Sequence, residues 1–138
     1  MRHPFKLLFS LAFVVTAFFL PSSCTTQKIY QGPELPNDEI SVVKTGAITF
    51  PGPGFRSTYF RKVDKSIMPK FTNDVQISPG NHVFFLESSV GLFHYDRSIR
   101  FKTEAGREYK IFVRNSGNNV WAEDVQTGEV VAGNRPSS

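Results

Sequence analysis

The chain alternates apolar and polar side chains in short bursts. Ile99 and Phe101 face one way, with Arg100 and Lys102 opposite. Tyr109, Ile111 and Val113 alternate with Lys110, Phe112 and Arg114, and Ser57 to Val63 sets Tyr59, Arg61 and Val63 against Thr58, Phe60 and Lys62. A period of two is the mark of a half-buried strand. Ile40–Lys44, Val75–Ile77, Val120–Val125 and Val130–Val131 are short and rich in β-branched residues, as strands are. His82–Glu87 carries the apolar run Val83-Phe84-Phe85-Leu86 without alternation, which predicts a central strand buried on both faces. Turn residues separate these segments at Asp64–Ser66, Ser78–Asn81, Ala105–Arg107, Asn115–Asn119 and Gln126–Glu129, and Pro51-Gly52-Pro53-Gly54 is a firm break. Beyond residue 24 no window keeps a helical period. Seven to eight short strands, with a turn every eight to twelve residues, predict an all-β domain over residues 40–133. The expected architecture is an antiparallel β-sandwich or a small barrel, with sequential strands mostly paired as neighbours.

The N-terminus follows a different pattern. Arg2 and Lys6 precede Leu7–Leu20, fourteen residues without a charge. A signal-peptide core runs roughly 7–15 residues, whereas a membrane span needs about 20. Residues 1–23 therefore read as an export signal, helical in its apolar part. Residues 24–39 hold Gly32, Pro33 and Pro36 and no periodicity, so they read as extended chain. Ile29, Tyr30 and Leu35 are too apolar for a pure spacer. Tyr30 and Leu35 are expected to dock on the domain and leave a short free tether. Residues 134–138 read as a polar, frayed tail.

Cys24 is the single cysteine, so no internal disulfide is possible. Ser22 and Ser23 stand directly before it, and Leu20-Pro21-Ser22-Ser23-Cys24 resembles the lipobox of bacterial lipoproteins, with Pro21 where that motif usually has Leu. The resemblance implies that the Cys24 thiol receives a diacylglyceryl group, that cleavage falls just before it, and that the new amino group is acylated. Thr25, rather than Asp, follows the cysteine; by the sorting rule of that family this implies the outer membrane, facing the periplasm. Ordinary secretory cleavage, leaving a free thiol at Cys24, is the alternative. The rest of the chain also resembles small bacterial envelope lipoproteins, through Tyr30–Pro36, Pro79-Gly80-Asn81-His82, Ala105–Tyr109 and Asp124–Gly128. Residues 50–70 fit that layout least and look like an insertion particular to this chain.

Charge narrows the function classes. Arg2 and Lys6 are the only charges before Cys24, so fourteen basic residues face twelve acidic ones beyond it. That excess is too small and too scattered for nucleic acid. Nine Phe, four Tyr and Trp121 remain after the signal, enough aromatic area for a core without disulfides. A phosphate cradle at Pro51–Gly54 is excluded, because the prolines remove the N–H groups it would use.

His82, His94, Asp96 and Asp124 are the candidates for a metal, but zinc needs three or four converging ligands and the sequence brings together at most two. His82 is expected beside a turn and His94 on a loop. No serine lies in a Gly-x-Ser-x-Gly elbow. No cofactor, metal or catalytic residue is expected. Arg56, Tyr59, Arg61, Lys62, Lys65 and Lys70 form a basic, aromatic cluster, with Asp64 as the opposing charge. Such a cluster suits anionic lipid or glycan, and equally a charged edge strand that resists aggregation. The expectation is an exported protein, held to the membrane by N-terminal lipid, with a non-catalytic binding or structural role toward an envelope protein, glycan or lipid. The alternative is a small envelope hydrolase using His82 or His94 as base on glycan or peptide substrates.

Overall fold

The computed structural model describes residues 26–46, 56–114 and 118–137. The expected signal over 1–23, its helix and Cys24 lie outside the described residues, as do Pro51–Gly54. The described chain is all-β, in two sheets, with no helix. Among the described residues ten strands form, rather than seven or eight: β1 (Thr26–Lys28), β2 (Ser41–Gly46), β3 (Arg56–Val63), β4 (Ser66–Thr72), β5 (Asp74–Ile77), β6 (Gly80–Val90), β7 (Phe93–Thr103), β8 (Glu108–Arg114), β9 (Asn119–Asp124) and β10 (Val130–Gly133).

The first sheet has the order β1-β5-β2-β8-β9-β10 and the second β4-β3-β6-β7. The second sheet is antiparallel throughout. The first is mixed, because β1 pairs parallel with β5 and β2 parallel with β8. The expected antiparallel pairing thus departs at these two pairs of the first sheet, whose other pairs are antiparallel. β2 reaches β8 only after the whole second sheet has been built between them, a connection long enough to return the chain in the same direction.

The two sheets share one core. Val43, Val75, Ile77, Tyr109, Ile111 and Val113 of the first meet Phe60, Val63, Phe84, Leu86, Ile99 and Phe101 of the second. Phe84 stacks on Phe101 at 4.9 Å between centroids, and Phe101 meets Tyr109 across the sheets at 5.4 Å. This is the sandwich-like layering that two amphipathic sheets adopt to bury one face each.

Two segments carry more regular structure than expected. Thr26–Lys28 adds a strand to the edge of the first sheet, Ile29 packs against the core, and the backbone of Leu35 donates to the Tyr30 hydroxyl at 3.4 Å. The expected strand over Ser57–Val63 forms as β3, and β4 follows it within and just beyond the 50–70 stretch that looks like an insertion; together they are two of the four strands of the second sheet. At the other terminus the tail is held at Arg135, whose side chain donates to Glu123 at 2.8 Å.

A face of the four-stranded sheet as candidate contact site

Strand β3 carries the residues singled out by sequence, and its geometry departs from plain alternation. Phe60 pairs with Leu86 and Lys62 with Phe85, so two residues of β3 oppose one of β6. Arg61 is the extra residue of a bulge, which re-aims side chains around it. After the bulge the parity of the strand reverses. Val63 joins Phe60 and Thr58 on the buried side, and Lys62 joins Tyr59 and Arg61 on the outer side. The expected grouping of Lys62 with Phe60, and of Val63 with Tyr59, is corrected by this single insertion.

Strand β4 is interrupted in the same register. Thr72 pairs with Phe60 and Ile67 with Lys62, so Met68–Phe71 loop out of the ladder. The Thr72 hydroxyl closes the loop by donating to the Pro69 carbonyl at 2.8 Å. Pro69 is tolerated because β4 is an edge strand. Met68 turns into the core, while Phe71 is held outward at φ 64°, a left-handed conformation that costs a bulky residue energy. Its ring meets Tyr59 edge-on at 5.4 Å.

A carboxylate sits at the centre of this outer face. Glu87, on β6 directly opposite Tyr59, is buried. It accepts hydrogen bonds from the Tyr59 hydroxyl and the Arg61 guanidinium, and His94 on β7 donates from Nδ1 at 3.2 Å. A covered carboxylate is retained only when paired and hydrogen-bonded, and here three donors from two neighbouring strands supply that. The bond from Tyr59, followed by that from Arg61, holds Glu87 below the usual carboxylate range. Burial, and then the bond to Glu87, push the Tyr59 phenol up to about 12. The phenol is therefore a neutral donor at any physiological pH.

Two clefts flank Arg61 and Ile67. One, of about 580 Å³, lies between the β4 loop and the Tyr59–Glu87–His94 group, and Lys70 lines it. The other, of about 530 Å³, is lined by Lys62, Phe85, Asp96 and Arg97. Ile67 is 82% exposed, Phe71 69% and Phe85 38%. Lys62 lies over the Phe85 ring at 5.4 Å. The face thus offers flat apolar groups beside donors and acceptors of both signs.

Of the sequence-predicted contact residues, Tyr59, Arg61, Lys62 and Lys70 line these clefts. Lys65 lies in the β3–β4 turn, and Arg56 opens β3 opposite Val90. Sequence reasoning missed Glu87, Ile67, Phe71 and Phe85, and singled out His94 as a candidate ligand or base without placing it on this face. The available signal was the acidic residue closing the apolar run of β6. That run is central in its sheet, but it is not buried on both faces: Phe85 points out and Val83 is half-buried.

The two histidines do not converge. His82 pairs with Phe101 near one end of β6 and His94 with Ser89 near the other, so about 23 Å of strand separates them. His94 lies within β7 and not on a loop. Each histidine meets one carboxylate. His82 donates to Asp64 from Nδ1 at 2.7 Å, and its Nε2 lies 2.8 Å from the Ser78 carbonyl oxygen. Asp124 caps the turn after β9 by accepting from the backbone of Gln126 at 2.8 Å. Among the described residues no three metal-ligating side chains come together. No family model, no curated protein and no solved structure matches the chain.

Proposed function

We propose that the protein is a lipid-anchored β-sandwich of the bacterial envelope with a non-catalytic binding role. In this reading residues 1–23 are removed as a helical signal and Cys24 carries the acyl chains. The domain then faces the periplasm from the outer membrane, and its outer β3–β6–β7 face engages an envelope protein or an anionic glycan or lipid. The observation that carries the binding role is the grouping of exposed Ile67, Phe71 and Phe85 around the two clefts. An exposed apolar group rimmed by charge marks an interaction surface, and aromatic rings beside arginine suit both protein and sugar partners. The lone cysteine after a short apolar run carries the anchoring part, and two or three acyl chains hold a protein stably where one does not.

Metabolic labelling with a fatty-acid analogue tests the anchor: the wild-type chain incorporates label and Cys24→Ala does not. Equal labelling of the two ends that part of the reading. Binding is tested with the unlipidated Cys24→Ala chain, which should sediment with isolated envelopes and lose this when Lys62 and Lys70, which line the clefts without holding Glu87, are both changed to Glu.

A further inference from the structure

The strand connections fix which end of the sandwich the anchor would occupy. Ser41 donates to the Glu104 carbonyl at 2.7 Å, next to Thr103, the last residue of β7. At its other end β2 meets the start of β3, where the Thr45 hydroxyl donates to the Thr58 carbonyl at 2.8 Å. β2 therefore runs toward the end of the sandwich where β3 begins and β6 ends. β5 is antiparallel to β2 and β1 is parallel to β5, so β1 runs away from that end. Thr26 is at its start, level with Asp74 and Lys44. Cys24 is two residues earlier, within about 7 Å of Thr26 by chain length alone.

The same end is closed by the β6–β7 turn, Gly91-Leu92, between the paired residues Val90 and Phe93. Gly91 takes the positive φ that a two-residue turn needs, at 59°. Nothing in the turn requires an apolar residue next, and such positions favour Asn, Asp, Ser or Gly. Yet Leu92 is 94% exposed and Phe93 68% exposed, consecutive and unshielded. Arg56 and Arg114 also stand at strand ends on this side, since β8 runs parallel to β2. Basic residues beside an anchor are attracted to anionic headgroups.

We propose that this end of the sandwich faces the bilayer, with Leu92 and Phe93 seated at the boundary of headgroups and acyl chains. The inference rests on the lipid anchor at Cys24. It gives the domain an orientation: the strands stand up from the membrane, and the outer face of the β3–β6–β7 sheet is turned sideways, clear of lipid and open to a partner.

The test uses depth-dependent quenching. The full chain is expressed in a bacterial host, and the processed protein is placed on phosphatidylethanolamine–phosphatidylglycerol vesicles with brominated acyl chains. Where Cys24 arrives without lipid, its thiol is coupled to maleimide headgroups, so the anchor is present in either case. Leu92→Trp is compared with Ala105→Trp, exposed in the turn that follows Thr103 at the other end of β7. Trp121 is buried and common to both. Insertion of the β6–β7 turn predicts at least roughly twofold greater quenching for Leu92→Trp than for Ala105→Trp. Equal quenching, or more at position 105, overturns the orientation. Fatty-acid labelling reports the anchor separately, so labelled protein with equal quenching sinks the orientation alone. Unlabelled protein with selective quenching after coupling sinks native lipidation alone.

Discussion

Glu87 and Tyr59 stand directly opposite each other on β6 and β3, and the phenol donates to the buried carboxylate. Tyr59 is pushed up to about 12 and Glu87 is held below its ordinary value. Removing the acceptor in Glu87→Ala should cost about 2 kcal/mol, the scale of a charge-assisted hydrogen bond net of water. The measurement is denaturant unfolding. The pH dependence follows from the two shifts. The Glu87 contribution is present above the ordinary carboxylate value of 4.5 and is lost as pH falls through its lower folded value. The Tyr59 contribution is present below the ordinary value of 10.0 and is lost as pH rises through about 12. Ultraviolet titration of the phenols should show Tyr59 ionising late, and earlier in Glu87→Gln.

The β3–β4 turn is locked to the neck of β6 by Asp64. Its carboxylate accepts from His82 and from the Val83 backbone, each within 2.8 Å, while its own N–H donates to the Val83 carbonyl. Burial alone would raise the Asp64 carboxyl, but the bonds from His82 and Val83 outweigh it and lower it. The residue also holds φ 51°, which Asp tolerates better than most. Asp64→Ala should therefore lose about 2 kcal/mol and speed hydrogen exchange at Val83. The Asp64 contribution disappears as pH falls below the ordinary 3.8. Unchanged exchange at Val83 would show that the carboxylate does not lock the turn.

The fold class was legible because half-buried strands print a period of two, as β7 and β8 do with Ile99, Phe101, Tyr109, Ile111 and Val113. The outer face was less legible. In β3 the pair Arg61-Lys62 between Phe60 and Val63 is the trace of the bulge: the core residues fall three apart instead of two, and strict alternation assigns everything after it to the wrong face. β4 was hidden by Pro69 and by a looped-out register that no local pattern encodes. Glu87 reads as the polar end of an apolar run, yet β6 continues past it to Val90, and only the neighbouring strands reveal its donors. The parallel β2–β8 pair joins residues far apart in sequence, which leaves no local signal.

Gly133 and Gly128 both adopt positive φ, at 71° and 72°, but only one is sterically locked. A Cβ at Gly133 would lie 2.1 Å from the Val120 carbonyl oxygen, a backbone atom that cannot swing aside. At Gly128 nothing lies within 4 Å. Gly128→Ala should cost about 1 kcal/mol from backbone strain alone. Gly133→Ala should cost about 2–3 kcal/mol, because close packing is violated as well. Its effect should centre on the β9–β10 pairing, read as faster amide exchange at Trp121 and Ala122. Equal losses for the two substitutions would mean that β10 does not approach β9 as described.

Phe71 combines a strained backbone with an exposed ring, so it separates binding from stability. Phe71→Gly relieves the left-handed strain, worth about 1 kcal/mol, and loses the edge-on contact with Tyr59, worth about as much. The two nearly cancel, and unfolding should stay within about 1 kcal/mol of wild type. Ile67→Ser, at a position 82% exposed, should change stability by less than about 0.5 kcal/mol. If the outer face of the second sheet is the contact surface, the two changes together remove most of its exposed apolar area. Sedimentation of the unlipidated Cys24→Ala chain with isolated envelopes should then fall by roughly tenfold, the factor that follows from losing about 1.4 kcal/mol of binding. A doubly substituted chain that unfolds like wild type and still sediments fully would show that the partner is held elsewhere.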